Sequence, residues 1–365
     1  MKFHNYKNQK LIFKKGDDNA MQENPFTLTF GQKPVEFISR DNQTDKIINT
    51  FNMEQPSNQV FMIAGVRGSG KTVSLSIISD YYSDREDWIV LRLSADSDII
   101  SGAVSELSRT SIKKNTDINI NASLGPIGVS LHKDNHLLGN EALLRNMIEE
   151  LMKHNKRILF VIDEIINNDF VKVFASNFQI YITQHYPVYL VMAGLYDNIR
   201  NLQNEKSLTF LYRAPKVFLE PLNLPSMASS YRNVFNMSQK EAVEMARATK
   251  GYPFAFQVLG HLRWEHNCSL EELMPEFDDA LASFAYEKIW SELSELDKKI
   301  VYIISTGIEA SADIRNKLSI SPQLLNVYRK RLMERGIVDA SQRGKLKLSL
   351  PRFAEYINAY CEVEI

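Results

Sequence analysis

Cysteine is nearly missing from the chain: Cys268 and Cys361 are the only two in 365 residues, and they form no spaced motif. A disulfide framework and a cysteine-ligated metal site are disfavoured by that scarcity, and a reducing cytoplasm is the expected compartment. Long apolar runs are missing as well. Stretches such as VYLVMAG are far shorter than the ~20 residues a membrane-spanning helix needs, so no membrane contact is expected. The first 24 residues are basic and then polar, without the apolar stretch of a secretory signal, and read as a flexible arm. Neither sign of charge dominates. With a net charge of −1, any contact with a polyanion must come from a local patch. Repeats and low-complexity tracts are also lacking. A composition of 44% hydrophobic and 24% charged residues then indicates a globular chain of two or three domains.

What the chain does have, in its first half, is an alternation of strands and helices. VFMIAG (from Val60), WIVLRLSA (from Trp88), RILFVIDE (from Arg157) and PVYLVMAG (from Pro187) are short, continuously apolar runs. Such runs suit strands buried on both faces, and KVFLEPL, Lys216 to Leu222, reads as a fifth. The predicted class is α/β, a doubly wound parallel sheet over residues 25–222. A helix before the first strand is expected to be capped by Asp41 or Asn42 and to bury Ile47, Ile48 and Phe51. Alternating residues around Gly125-Pro126 predict an inserted hairpin over 117–134. Helices are predicted over 225–235, 238–250, 253–266 and 269–290, forming a helical lid at 223–290. Ser238 with Glu241 makes a capping box, and Gly251-Tyr252-Pro253 breaks the second helix from the third. Residues 291–365 give three helices and then strand–turn–strand, the order of a winged helix.

The chemistry is concentrated in GVRGSGKT, Gly65 to Thr72. Gly65, Gly70, Lys71 and Thr72 match the P-loop spacing, and Val66, Arg67, Gly68, Ser69 and Val73 fill and follow it. Glycines let backbone N–H groups turn inward around phosphate oxygens, and the next helix points its positive end at them. Lys71 is then the partner of the β/γ-phosphates of ATP, and Thr72 a ligand of Mg2+. A P-loop also needs a carboxylate at the end of a neighbouring strand. RILFVIDE ends in Asp163-Glu164, so Asp163 is assigned to Mg2+ and Glu164 to polarising the attacking water. ATP binding with hydrolysis follows as the expected activity. His132 and His136 lie four apart in polar sequence with no companion ligands, so no histidine metal site is expected there.

With these motifs the chain resembles an AAA+-type ATPase of the origin-recognition and archaeal-ATPase branch, related to the STAND signalling NTPases. The resemblance runs from NPFTLTFGQKPVEFISRD to the C-terminal wing. It implies that Phe37, Ile38 and Arg40 lie against the adenine. It also implies an arginine finger before the last strand, where Arg213 stands, acting on a neighbouring copy in a homo-oligomer; a surface ion pair is the alternative for Arg213. The chain departs from the pattern at Ala193-Gly194, where a polar sensor residue often sits, with Asn198 as the nearest substitute. TKGYPFAFQVLG replaces a sensor arginine in the lid and is similar to the Gly-x-Pro motif of STAND proteins, which implies Pro253 against the nucleotide. A plain helix break explains Gly-Tyr-Pro equally well.

Between Arg315 and Arg352 ten basic residues face two acidic ones, a local excess of eight. On PQLLNVYRKRLMERG the residues Leu324, Leu325, Tyr328, Leu332 and Met333 suit a buried face. Gln323, Asn326, Arg329 and Lys330 would then face double-stranded DNA, with Arg343, Lys345 and Lys347 of the wing on phosphates. A winged helix also serves as a protein-binding module, so a protein partner in a slow signalling or defence switch is the alternative.

Overall fold

In the computed structural model residues 23–29, 33–113 and 136–364 are described; most of the expected arm and the whole expected hairpin over 117–134 lie outside them. Five strands form one parallel sheet: β1 (Val60–Ala64), β2 (Trp88–Ser94), β3 (Arg157–Asp163), β4 (Val188–Gly194) and β5 (Lys216–Phe218). Their order is β2-β3-β4-β1-β5. β4, buried at all seven positions, takes the centre between β1 and β3. The strand ending in Asp163 is therefore not a direct neighbour of the P-loop strand, contrary to expectation, but stands one strand away. β5 is also shorter than expected. Its ladder ends where Leu219 donates to Ala64 (3.0 Å), and Pro221, which has no N–H, lies two residues on.

The period of two along each strand sorts side chains onto two faces. Phe61, Ile63, Leu159, Val161, Tyr189 and Val191 pack against α1 (Asp41–Phe51) and α2 (Lys71–Ser83). Met62, Phe160, Ile162, Leu190 and Met192 pack against α3 (Ile99–Lys113), α4 (His136–Lys153), α5 (Asp169–Thr183) and α6 (Tyr196–Gln203). A short α7 (Thr209–Tyr212) leads into β5. Ile47, Ile48 and Phe51 of α1 are buried as expected, but neither Asp41 nor Asn42 caps the helix. Arg40 occupies the cap position, and its side chain makes no capping hydrogen bond to the first turn.

Beyond the sheet come α8 (Leu224–Phe235), α9 (Gln239–Ala248), α10 (Pro253–His266) and α11 (Leu270–Leu281). The Ser238–Glu241 capping box is formed. The helix expected over 269–290 is interrupted by a π-helical turn, Ala282–Tyr286, before α12 (Glu287–Ser291). Phe26 packs here and not on the sheet. Its ring is edge-on to Phe256 and stacked on Phe235, with centroids 5.5 and 5.6 Å apart.

Then follow α13 (Glu295–Ser305), α14 (Ser311–Leu318), α15 (Pro322–Glu334), the antiparallel pair β6 (Val338–Asp339) and β7 (Lys347–Leu348), and α16 (Phe353–Tyr360), which the sequence reading did not contain. An isolated bridge joins Ala310 to Lys345. One hydrophobic core runs from Leu222 through Leu281, Tyr286 and Ile300 to Ile357, so packing is continuous across the boundary expected at 290/291.

Candidate nucleotide site

The P-loop closes on the N-terminus of α2, with Gly70 left-handed at its cap (φ 87°). Lys71 Nζ donates to the carbonyls of Gly65 and Val66, both at 3.1 Å. Burial pulls its ammonium down to about 8, against the opposing pull of Asp163; Arg67 lowers it further, while Glu164 and Glu292 raise it. Thr72 Oγ1 donates to Asp163 Oδ2 at 2.6 Å, so the two residues assigned to Mg2+ meet despite the intervening strand. Asp163 Oδ1 accepts the N–H of Glu164 (2.8 Å), whose φ of 50° turns its exposed carboxylate out of the strand direction.

Above the loop lies a cavity of about 410 Å³. Phe37, Ile38 and Arg40 line it from the segment before α1; Arg67, Gly68, Gly70, Lys71, Thr72 and Val73 line it from the loop. Asp163, Glu164 and Pro253 complete the set brought together from the sequence prediction. Gly65, Val66 and Ser69 stand behind the wall, supplying backbone carbonyls to Lys71 and Arg40. Arg40 is a staple. Its guanidinium donates to Ser69 O (2.9 Å) and to Glu220 O, and burial lowers it to about 10, partly offset by Glu220.

The lid motif rests directly on the loop. Tyr252 Oη donates to Arg67 O (2.6 Å), and Phe254 N donates to Gly68 O (3.2 Å). Gly68 is left-handed (φ 73°), and a Cβ there would sit 2.8 Å from Phe254 Cβ, so only glycine fits under the lid. Gly194 has a comparable cause. A Cβ at the end of β4 would lie 2.7 Å from Ile165 Cγ2, which excludes a polar sensor side chain; Asn198 lines the cavity one turn on. Arg213 is exposed, lies outside the cavity lining and makes no ion pair among the described residues.

Several lining residues were missed from sequence. Gln257 accepts from Thr27 N (3.0 Å) and donates to Glu36 O (2.7 Å), holding the N-terminal segment over the cavity. Its signal was a lone polar residue inside the apolar run PFAFQVLG. Glu292, beyond α12, also reaches the cavity, and nothing local marked it. Among the described residues no group of three or more His, Cys, Asp or Glu can hold a metal, so any Mg2+ beside Thr72 and Asp163 needs ligand oxygens from elsewhere.

At the C-terminal end Gln323, Asn326 and Lys330 are exposed on α15, as are Arg343 and Lys345 after β6. Arg329 is half-buried and bonded to Ala340 O (3.4 Å), and Lys347 pairs with Glu309 (3.6 Å). Two expectations fail here. Leu324 and Met333 are 39% and 42% exposed rather than buried, leaving Leu325 and Leu332 as the inward residues. The basic excess is also partly neutralised by carboxylates from outside the counted window. Arg331 and Arg335 pair with fully buried Asp297, Arg335 also with Asp197, and Arg352 takes Asp278 through two bonds of 2.7 and 2.5 Å.

Residues 285–357 match a family described as a domain of unknown function, DUF8462. No curated protein matches the chain. Among solved structures, the Walker-type ATPase of Pyrococcus abyssi superposes with a TM-score of 0.62 at 16% identity, over 88% of this chain and 96% of that one. The ORC2 protein of Aeropyrum pernix in its ADPNP–ADP complexes follows at 0.52 and 14%, over 87% and 90%. At these identities the likeness is one of fold: a five-stranded parallel sheet with helices following its strands.

Proposed function

We propose that the chain is an ATP-binding and ATP-hydrolysing AAA+-like switch that acts on double-stranded DNA through its C-terminal module. One observation carries the nucleotide reading. Thr72 and Asp163 meet under a helix N-terminus, beside a lysine whose hydrogen-bond acceptors among the described residues are two loop carbonyls. That donor set fits a magnesium-bound triphosphate, and the ion, when bound, neutralises phosphate charge. Lys71 exchanges its carbonyl partners for β/γ-phosphate oxygens. Phe37 and Ile38 flank the base, Pro253 holds the lid against it, and Glu164 accepts a proton from the water that attacks the terminal phosphate. The expected products are ADP and phosphate. Arg213, exposed next to β5, is free to reach the site of a second copy in a homo-oligomer.

For DNA the proposed contacts are Gln323, Asn326 and Lys330 of α15, with Arg329 at the edge and Arg343, Lys345 and Lys347 on the flanking phosphates. The order of α13, α14, α15 and the β6–β7 pair supports a winged-helix reading. A protein partner is the second reading, favoured by Leu324 and Val327, 39% and 61% exposed on the same helix.

The test is calorimetric titration of ATP with Mg2+ against the wild type, Lys71→Ala and Glu164→Gln. Binding lost in Lys71→Ala but kept in Glu164→Gln, with turnover lost in both, is the expected pattern. Unchanged binding in Lys71→Ala would remove the nucleotide assignment.

A further inference from the structure

We infer that Arg67 supplies, from within the loop itself, the second cation for the terminal phosphate, so that this chain discriminates triphosphate from diphosphate without a sensor arginine in the lid. The inference rests on the nucleotide reading above and assigns a selectivity residue to that same site.

Arg67 lies at the crest of the loop, between Val66 and Gly68, and its side chain lines the cavity. Its position is fixed on both sides. Tyr252 holds the Arg67 carbonyl (2.6 Å), and Phe254 holds the next one, Gly68 O (3.2 Å). Its guanidinium, by contrast, is uncommitted. Nε is buried without a hydrogen-bond partner, and Arg67 forms no ion pair among the described residues. Other arginines near the site and in the C-terminal module are engaged: Arg40 on Ser69 O and Glu220 O, Arg331 and Arg335 on Asp297, Arg352 on Asp278. A buried donor atom with nothing to donate to is costly, and an anionic oxygen entering the cavity satisfies it.

The neighbours point to the same assignment. Arg67 is close enough to Lys71 for its charge to disfavour the lysine's, an arrangement that suits a ligand carrying more than one negative charge. Glu292 lines the same cavity but pairs with Lys288 (3.8 Å) and makes no ion pair with Arg67. The other places for a phosphate sensor are closed or remote. Gly194 has no room for a side chain, α10 begins with Pro253-Phe254, and Arg213 lies outside the lining of its own cavity. A cation on the P-loop crest senses the far end of a triphosphate, where a diphosphate has no oxygen to offer.

The experiment measures affinity for ADP and for a non-hydrolysable ATP analogue, each with Mg2+, in wild type, Arg67→Ala, Arg67→Gln and Arg67→Lys. Thermal melting checks that each variant is folded. The expected result is a loss of at least about tenfold for the ATP analogue in Arg67→Ala and Arg67→Gln, a change under about threefold for ADP, and partial recovery in Arg67→Lys. Equal losses for both nucleotides would reduce Arg67 to a support of the loop, and no loss for either would leave it a solvated side chain; both overturn the inference while the nucleotide reading stands. A wild-type chain that binds neither nucleotide overturns the nucleotide reading and this inference with it.

Discussion

The nucleotide end and the α15 end differ in where their charges find partners. Around the P-loop, Lys71 bonds to carbonyls within its own loop and Thr72 to one carboxylate, leaving charge for a ligand. Around α15, Arg331 and Arg335 are consumed by Asp297 and Asp197, and Lys347 leans on Glu309. Cations that look alike in the sequence therefore do different work. At one end they await an anion; at the other, several hold the fold together.

The sharpest way to break that contrast is at Asp297, which is fully buried, forms ion pairs with two arginines and closes the capping box of α13. Asp297→Ala leaves Arg331 and Arg335 without their shared anion and is expected to cost about 3–5 kcal/mol in urea unfolding. A loss below ~1 kcal/mol, the range of exposed pairs, would mean the arginines are free after all.

At the nucleotide end the expected effect is on pH dependence. Lys71 is depressed to about 8 from 10.5. Between those values the unfolded chain holds more protons than the folded one, so the destabilisation from burying this ammonium is complete below pH 8 and is relieved as pH rises. Nucleotide affinity has the opposite sign. Phosphate favours the charged form, so affinity is full below pH 8 and falls by up to about tenfold per unit above it. Calorimetry at pH 7, 8 and 9 in buffers of differing ionisation heat checks this through proton uptake. A flat wild-type profile without proton uptake would assign the depression no functional part.

The smallest effect separates two lysines two residues apart. Lys345 is exposed without an ion pair among the described residues, whereas Lys347 pairs with Glu309. Lys345→Ala is expected to weaken duplex DNA binding a few-fold and to flatten the salt dependence by about one unit of slope, with Lys347→Ala doing less. Equal effects would show that the Glu309 pair opens in the complex.

The same division explains how much was legible beforehand. Gly65–Thr72 and Asp163-Glu164 could be read because loop, helix start and strand end are set by residues adjacent in the chain. Ile47, Ile48 and Phe51 were equally clear from helical spacing. Strand order was not, since the apolar runs do not say that β4 lies between β1 and β3. Counting charge from Arg315 to Arg352 failed because Asp197, Asp278, Asp297 and Glu309 arrive through folding. Glu292 was hidden for a similar reason. A polar residue facing a cavity looks the same, in one dimension, as one facing water.

A core without a seam has a mechanical consequence. Because α8–α11 and α13–α16 share one close-packed interior, bending one set relative to the other would open that interior. The packed helices bear on the P-loop at two points: Tyr252 and Phe254 grip Arg67 and Gly68, and Gly336 lies beside Val66. A shift of the loop therefore presses at once on the start of α10 and on the residues just after α15, two places joined by the same packed interior.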